Sequence, residues 1–334
     1  MRESGGANGG NFAGRLYKCV REVVKPTLGI IRFLLVIMLP VSFAVLVLEA
    51  SGTMQIIARF MGPLMRFLGL PGEASLAFLS AILINVYSAI AVIETLTLNG
   101  KQLVILATMC LIAHNFFVEC AVMKKTGSRM YRMVILRLVN AVFAAWVMNL
   151  IVPEEVNPAA AGIIALGETP PVSGMAAFLA RLGPWLQSSL FLALQIFLIV
   201  FAVMFGQRIL REFGLMQKLA RVTAPLLGFF GLPPSTGYVW IVAETIGVAY
   251  GAGILIEEVK TGKLSRPEAD LVNHYAAISH SQIEDTLLFV SIGVPYLWAA
   301  LPRFLLAIVV VWVERARRAF FRSSFRVHYQ EGRH

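Results

Sequence analysis

Residues 278–289 read "ISHSQIEDTLLF", which puts His280, Ser281, Gln282, Glu284 and Asp285 almost in a row within an otherwise apolar stretch. Ionisable side chains at membrane depth cost roughly 2.5–3.5 kcal/mol each on insertion scales, so they face a protein interior or a watery cavity and mark a pathway. If the segment is one helix, His280 and Glu284 stand one turn apart. That spacing suits two ligands of a single divalent cation, or two groups sharing one proton. On such a helix Asn273, His280 and Glu284 share one stripe, and His274, Ser281 and Asp285 the neighbouring one. His280 and Glu284 are therefore the expected metal ligands.

A second stretch, "IAHNFFVECAVM" at 112–123, repeats the pattern. Shifting the chain by 166 positions sets His114 on His280, Glu119 on Asp285 and Arg137 on Arg303. Glu284 meets Val118, so that carboxylate has no counterpart. Glu119 and Asp285 each follow a histidine by five residues, about 140° around a straight helix. One ion is gripped by both members of such a pair only if the helix breaks between them. A buried carboxylate needs a partner, and the duplicated arginines supply one each, which predicts the ion pairs Glu119 with Arg137 and Asp285 with Arg303.

The duplication extends well beyond these residues. A shift of 162 sets "GTMQIIARFMGPLMRFLGLP" (52–71) on "GLMQKLARVTAPLLGFFGLP" (214–233), identical at 11 of 20 positions. Each half holds an apolar span (27–49; 185–206), an amphipathic piece ending in "GLP", a segment of about 25 residues (74–98; 235–258), a polar span (102–123; 269–291) and a last span (131–152; 296–313). With 58% hydrophobic and 14% charged residues, the chain is excluded from the ordinary soluble globular class. It reads as a polytopic membrane protein.

Charge decides how the 25-residue segments run. If they cross, the basic loops "KKTGSRMYR" (124–132) and "QRILREFGLMQKLAR" (207–221) fall outside, against the positive-inside rule. If they enter and return on one side, both loops and the tail "ERARRAFFRSSFR" become cytoplasmic, and the acidic, proline-rich linker lies outside. Tips at "NVYSA" (85–89) and "GVAYGAG" (247–253) supply the polar and glycine residues that a chain reversal needs at depth; the alternative is that Gly247, Gly251 and Gly253 serve close helix packing. The expected fold is all-α and polytopic: two inverted repeats, each of three transmembrane helices, an amphipathic helix and a re-entrant helical hairpin. Its parts are an amphipathic cytoplasmic N-terminus (1–26), repeat 1 (27–152), an extracytoplasmic linker (153–184), inverted repeat 2 (185–313) and a basic cytoplasmic tail (314–334).

The formal charge of +10 comes from Lys and Arg beside apolar segments, which points to anionic lipid at the cytoplasmic face rather than to nucleic acid. Cys19, Cys110 and Cys120 have no CxxC spacing. Walker-type and HExxH motifs are absent from the sequence, so NTPase and zinc-hydrolase chemistry have no residues to rest on. The expected protein is not an enzyme.

The order of "FLGLPGEAS" or "FFGLPPSTG", a hairpin-like segment and a polar span, duplicated and inverted, resembles the Gate, or nucleoside-recognition, domain. Concentrative nucleoside transporters, the membrane part of B-type ferrous iron transporters and spore-maturation membrane proteins share that domain. The resemblance covers nearly all of 27–313 and implies the fold more specifically than the cargo. Nucleoside carriers of this kind show a Gly-Gln-Thr-Glu type of first tip, where this chain reads "INVYSA".

In transporters built from inverted repeats, cargo and coupling ions bind near the midplane, where discontinuous helices meet. The expected site therefore lies between hairpin tips and polar spans and consists of Asn85, Tyr87, Ser88, His114, Asn115, Glu244, Tyr250, His280, Ser281 and Glu284. The expected function is transport of a small polar solute, a divalent cation ahead of a nucleoside or nucleobase, with H+ or Na+ as a coupling ion and no firm cofactor. A non-transporting component of a larger membrane assembly is the alternative, and a homo-oligomer or membrane partner stays open. The expected location is the cytoplasmic (inner) membrane of a prokaryote, with both termini cytoplasmic.

Overall fold

The computed structural model describes residues 12–51, 53–156 and 175–331. The glycine-rich start and most of the expected linker lie outside them. Among the described residues the chain is helical throughout, without a strand. Among the described residues four stretches are long and apolar enough to cross a membrane: Gly100–Lys125, Met130–Ile151, Leu182–Glu212 and Tyr296–Phe320. Large apolar side chains such as Phe60, Val222, Leu297 and Phe229 stand exposed, as a surface facing lipid tails requires and one facing water does not tolerate in quantity.

Helix α1 (Phe12–Ala50) runs unbroken through the expected boundary at 26/27, so the basic N-terminal piece continues the first apolar span. The amphipathic α2 (Thr53–Phe67) follows. Next come α3 (Ala74–Leu83) and α4 (Val86–Ile93), interrupted at Ile84 and Asn85 and packed against each other. The first polar span is two helices, α5 (Gly100–Ile112) and α6 (Phe116–Lys125), and α7 (Met130–Ile151) packs on both.

The second half has the same order. Helix α8 (Met175–Glu212) packs along α1, and α9 (Leu215–Phe229) is the counterpart of α2. Helices α10 (Gly237–Ile246) and α11 (Val248–Lys260) pack together about a break at Gly247, 162 positions after Asn85. Helices α12 (Arg266–Ala276) and α13 (Glu284–Ser291) divide the second polar span, and α14 (Tyr296–Glu331) carries the basic tail as a continuous helix.

Local chemistry explains the punctuation. Asn85 caps α4 by accepting from the Ser88 amide at 2.9 Å. Asn99 with Gln102 and Ser265 with Glu268 form capping boxes on α5 and α12. Hydrogen bonds from the Ser265 backbone amide and hydroxyl hold the Glu268 carboxyl below its usual range. Helix α5 lies deepest: from Leu103 to Ile112 every residue is buried. Its neighbours α7, α14, α3 and α4 surround it, so the break that ends it opens inside the protein.

Candidate functional site

Both polar helices break at equivalent points. Asn115 (φ 52°) and Ser281 (φ 47°) are the non-glycine residues with positive φ among the described residues, and they stand 166 positions apart, the shift of the duplication. A non-glycine residue in the left-handed region costs on the order of 1–3 kcal/mol and persists only where its surroundings hold it. A matched pair of bonds does so here. The Asn115 amide donates to the Ala81 carbonyl at 2.8 Å and the Ser281 amide to the Ala243 carbonyl at 3.0 Å, so the end of α3 or α10 clasps each break.

The breaks turn the two histidines toward each other. His114 Nδ1 lies 3.1 Å from the Cys110 carbonyl and His280 Nδ1 2.6 Å from that of Ala276. A carbonyl oxygen only accepts, so each ring carries a proton on Nδ1, and the neutral imidazole presents a bare Nε2 lone pair. The two Nε2 atoms are 3.3 Å apart. Glu119 Oε1 is 3.1 Å from His114 Nε2, Glu119 Oε2 is 3.4 Å from His280 Nε2, and Asp285 Oδ2 is 3.6 Å from His114 Nε2. All four side chains are buried.

This makes a buried set of acceptors facing one another. Such a set is stable only with a proton or a cation among its members. The ligand atoms of His114, Glu119 and His280 all lie within 4.8 Å of one another. A transition-metal cation with ligands at 2.0–2.1 Å in tetrahedral geometry needs ligand-to-ligand edges of about 3.3 Å; the two Nε2 atoms stand 3.3 Å apart, and Glu119 reaches the two rings through different oxygens, Oε1 toward His114 and Oε2 toward His280.

Arginine completes the charge balance. Arg137 Nη1 lies 2.7 Å from Glu119 Oε2, and its Nε donates at 2.8 Å to the Ile112 carbonyl that the α5 break leaves free. The expected Glu119 and Arg137 partnership therefore exists, although Glu119 belongs to the histidine cluster as well. Arg303 differs from expectation. It donates to Gln282 Oε1 at 2.9 Å, Thr286 Oγ1 at 2.8 Å and the Ala299 carbonyl at 3.1 Å, and among the described residues no ion pair closes between Asp285 and Arg303. The second break is longer, from Ala277 to Ile283, and Gln282 within it takes the guanidinium, leaving Asp285 to face His114.

The spacing behind the expected chelate of His280 with Glu284 assumed a continuous helix, and the helix is interrupted between the two residues. Glu284 begins α13 beyond the break, and its Oε1 accepts from the Tyr87 hydroxyl at 3.3 Å. The polar stripes divide at the same place: Asn273 donates to Thr126 Oγ1 at 2.8 Å and Ser128 Oγ at 2.9 Å, away from His280. Asn85 and Ser88 are occupied with each other in the cap of α4. Glu244 is buried and accepts from Ser279 Oγ at 3.2 Å, while its backbone carbonyl accepts from the Gln282 amide. Gly247 touches the second break closely; a Cβ there would stand 2.5 Å from Ser281 Oγ. The Tyr250 side chain lies outside the described residues.

One group went unrecognised in the sequence. Asp270, His274 and Glu314 come together among Arg132, Arg317, Arg318 and Ser128. Arg132, Arg317 and Arg318 hold Glu314, and Arg318 with Ser128 holds Asp270, which makes the group an ion-pair clasp joining the turn before α7, the start of α7, α12 and α14. Its local signal is the i to i+4 spacing of Asp270 with His274 and Glu314 with Arg318 and the i to i+3 spacing of Glu314 with Arg317.

The family described as Gate, nucleoside recognition, matches residues 31–130. The uncharacterized membrane protein YvoD of Bacillus subtilis (strain 168) is 31% identical over 259 residues, which cover 78% of this chain and 82% of that protein. No solved structure matches.

Proposed function

Because the chain belongs to the Gate, or nucleoside-recognition, family of membrane proteins, we propose that it is a membrane carrier whose cargo is a divalent metal cation, bound where the two helix breaks meet. One observation carries this reading: His114, Glu119, His280 and Asp285 converge from two distant segments as mutual acceptors. The imidazole and carboxylate donors suit first-row cations. Protonation of the same atoms competes with the cation, so acid opposes loading and supplies a route for coupling to H+.

The scaffold in this reading is two inverted repeats, each of three crossings, an amphipathic helix and a re-entrant hairpin. Its support is the repetition of unusual backbone features at the shifts of the duplication: the left-handed residues 115 and 281, the clasping carbonyls 81 and 243, and the hairpin breaks at 85 and 247. Tyr87 and Glu284 would join the first hairpin to the second break, so that movement of the hairpin reaches the cation site. Both termini would be cytoplasmic in a prokaryotic inner membrane, with the basic tail on anionic lipid. No bond in the cargo is made or broken.

The test is uptake into liposomes by purified protein. Zn2+, Mn2+, Co2+ and Fe2+ are offered against labelled uridine and adenosine, because the family description names nucleosides. Flux of at least one metal is expected, falling as the bath is acidified and lost in His114→Ala and His280→Ala proteins that remain monodisperse. Nucleoside flux without metal flux would replace the cargo; no flux of either would end the transport reading.

A further inference from the structure

Glu244 stands on α10 of the second hairpin, buried, and is no member of the histidine cluster. Its Oε1 accepts from the Ser279 hydroxyl at 3.2 Å, Ser279 Oγ accepts from Gln282 Nε2 at 2.7 Å, and Gln282 Oε1 accepts from Arg303 Nη2 at 2.9 Å. A one-way relay of hydrogen bonds therefore runs from the guanidinium to the carboxyl. The direct pair does not form. Among the described residues no ion pair joins Glu244 to Arg303, although the two lie within electrostatic reach and Arg303 Nη1 is buried without a hydrogen bond. The Tyr275 hydroxyl, which stands beside Glu244 on the α12 side, is likewise buried without a closed hydrogen bond.

Packing does not call for this set. At the shifts of the duplication Glu244, Tyr275, Ser279 and Gln282 meet Ile82, Met109, Ala113 and Phe116, so the first repeat builds the same backbone from apolar side chains. There the Phe116 ring lies 5.1 Å from the Arg137 guanidinium, where the second repeat has Gln282. The arginine is common to both halves, and the carboxyl with its relay belongs to one. An ionised carboxylate buried near a guanidinium with an unused N–H would close on it, because each charge alone is costly to bury. A neutral acid has no such pull, and its O–H gives the Tyr275 oxygen a donor. We propose that Glu244 is a proton-binding site, occupied in the arrangement described, and that its deprotonation hands the carboxylate to Arg303 Nη1. The proton leaves the carboxyl oxygen for water, no other covalent bond changes, and α10 is drawn toward α14. Tyr275 from α12 and Arg303 from α14 are the ionisable groups facing Glu244. Helices α9 and α11 and the turn at 234–236, which also pack on α10, bring none among the described residues. The break at 277–283 brings Ser279 and Gln282, while its His280 is engaged with His114 and Glu119. Proton binding here stands without the metal reading; its coupling to flux rests on that reading.

Infrared difference spectroscopy of the full-length protein in lipid, between acid and alkaline buffer, reads the C=O stretch of a protonated carboxyl directly. The wild-type protein should show such a component that disappears as pH rises. Glu244→Gln should remove it, whereas Glu94→Gln, in the other hairpin, should leave it. Arg303→Gln should move its midpoint to higher pH by about one to three pH units, the effect of losing an opposite charge near a carboxyl, and Arg303→Lys, which keeps the charge, should move it less. In liposomes a pH gradient should speed metal uptake by the wild-type protein and not by the Glu244→Gln protein. Absence of the component from the wild-type spectrum, or its persistence in Glu244→Gln, would overturn the proton site; an equal midpoint in wild type and both Arg303 variants would overturn the transfer to Arg303. A Glu244 component without any metal flux would end the metal reading and leave the proton site standing.

Discussion

Arg137 carries more of the site than any ligand does. Fully buried, it neutralises Glu119 at 2.7 Å and closes the carbonyl that the α5 break exposes. Removing one partner of a buried pair leaves the other charged and unmatched, at a cost of about 3–5 kcal/mol. Arg137→Leu is therefore expected to lower the unfolding midpoint sharply in a denaturant titration. Glu119→Gln together with Arg137→Leu should recover part of that loss, because no charge is then stranded. Equal destabilisation by the single and the double variant would show that Glu119 draws its stability from elsewhere. Arg303 occupies the matching position yet bonds to Gln282 and Thr286. The two halves thus share a backbone and differ in charge wiring, and the difference frees Asp285 for the cluster.

Among the elements, the hairpin of α10 and α11 shows that glycines in one run have different duties. Gly247 holds φ 90° at the break, and a Cβ would meet Ser281 Oγ at 2.5 Å. Gly253, one and a half turns into α11, faces open space with nothing within 4 Å of a built Cβ. Close helix packing therefore does not account for Gly253. Gly247→Ala is expected to destabilise by about 1–3 kcal/mol, from the strained backbone alone. Gly253→Ala should be neutral or stabilising by up to about 1 kcal/mol through helix propensity. Thermal denaturation of the two variants side by side measures this. If Gly253→Ala destabilised as much as Gly247→Ala, the break at 247 would lose its special standing.

For the whole molecule, the proposed inversion rests on which side each loop faces. Cytoplasmic placement of the basic turns predicts that a single cysteine at Lys125 or Lys218, in a protein lacking Cys19, Cys110 and Cys120, reacts with an impermeant maleimide only after the membrane is opened. A cysteine at Glu154 should react in intact cells. Labelling at Lys125 from outside would place the repeats in parallel and undo the pseudo-two-fold arrangement in which two broken helices meet.

The sequence alone was enough to establish a helical membrane protein, its internal duplication and the histidines, carboxylates and arginines at equivalent positions. Those properties reside in hydropathy over a window, in self-similarity at fixed shifts and in residue type, all of which are local or one-dimensional. The partnerships were decided elsewhere. His280 with Glu284 was an inference from 3.6-residue periodicity, and a helix that breaks at Ala277 no longer obeys that period. The break itself gave no strong signal, since neither Asn115 nor Ser281 is a glycine or proline; carbonyls at Ala81 and Ala243, more than 30 residues away, hold those backbones in place. Once both breaks form, His114 meets His280 across 166 positions, a contact that no spacing within one helix encodes. Tertiary packing chose the ligand set, because only the folded chain brings two deformed segments, each stabilised by a distant carbonyl, to the same buried point.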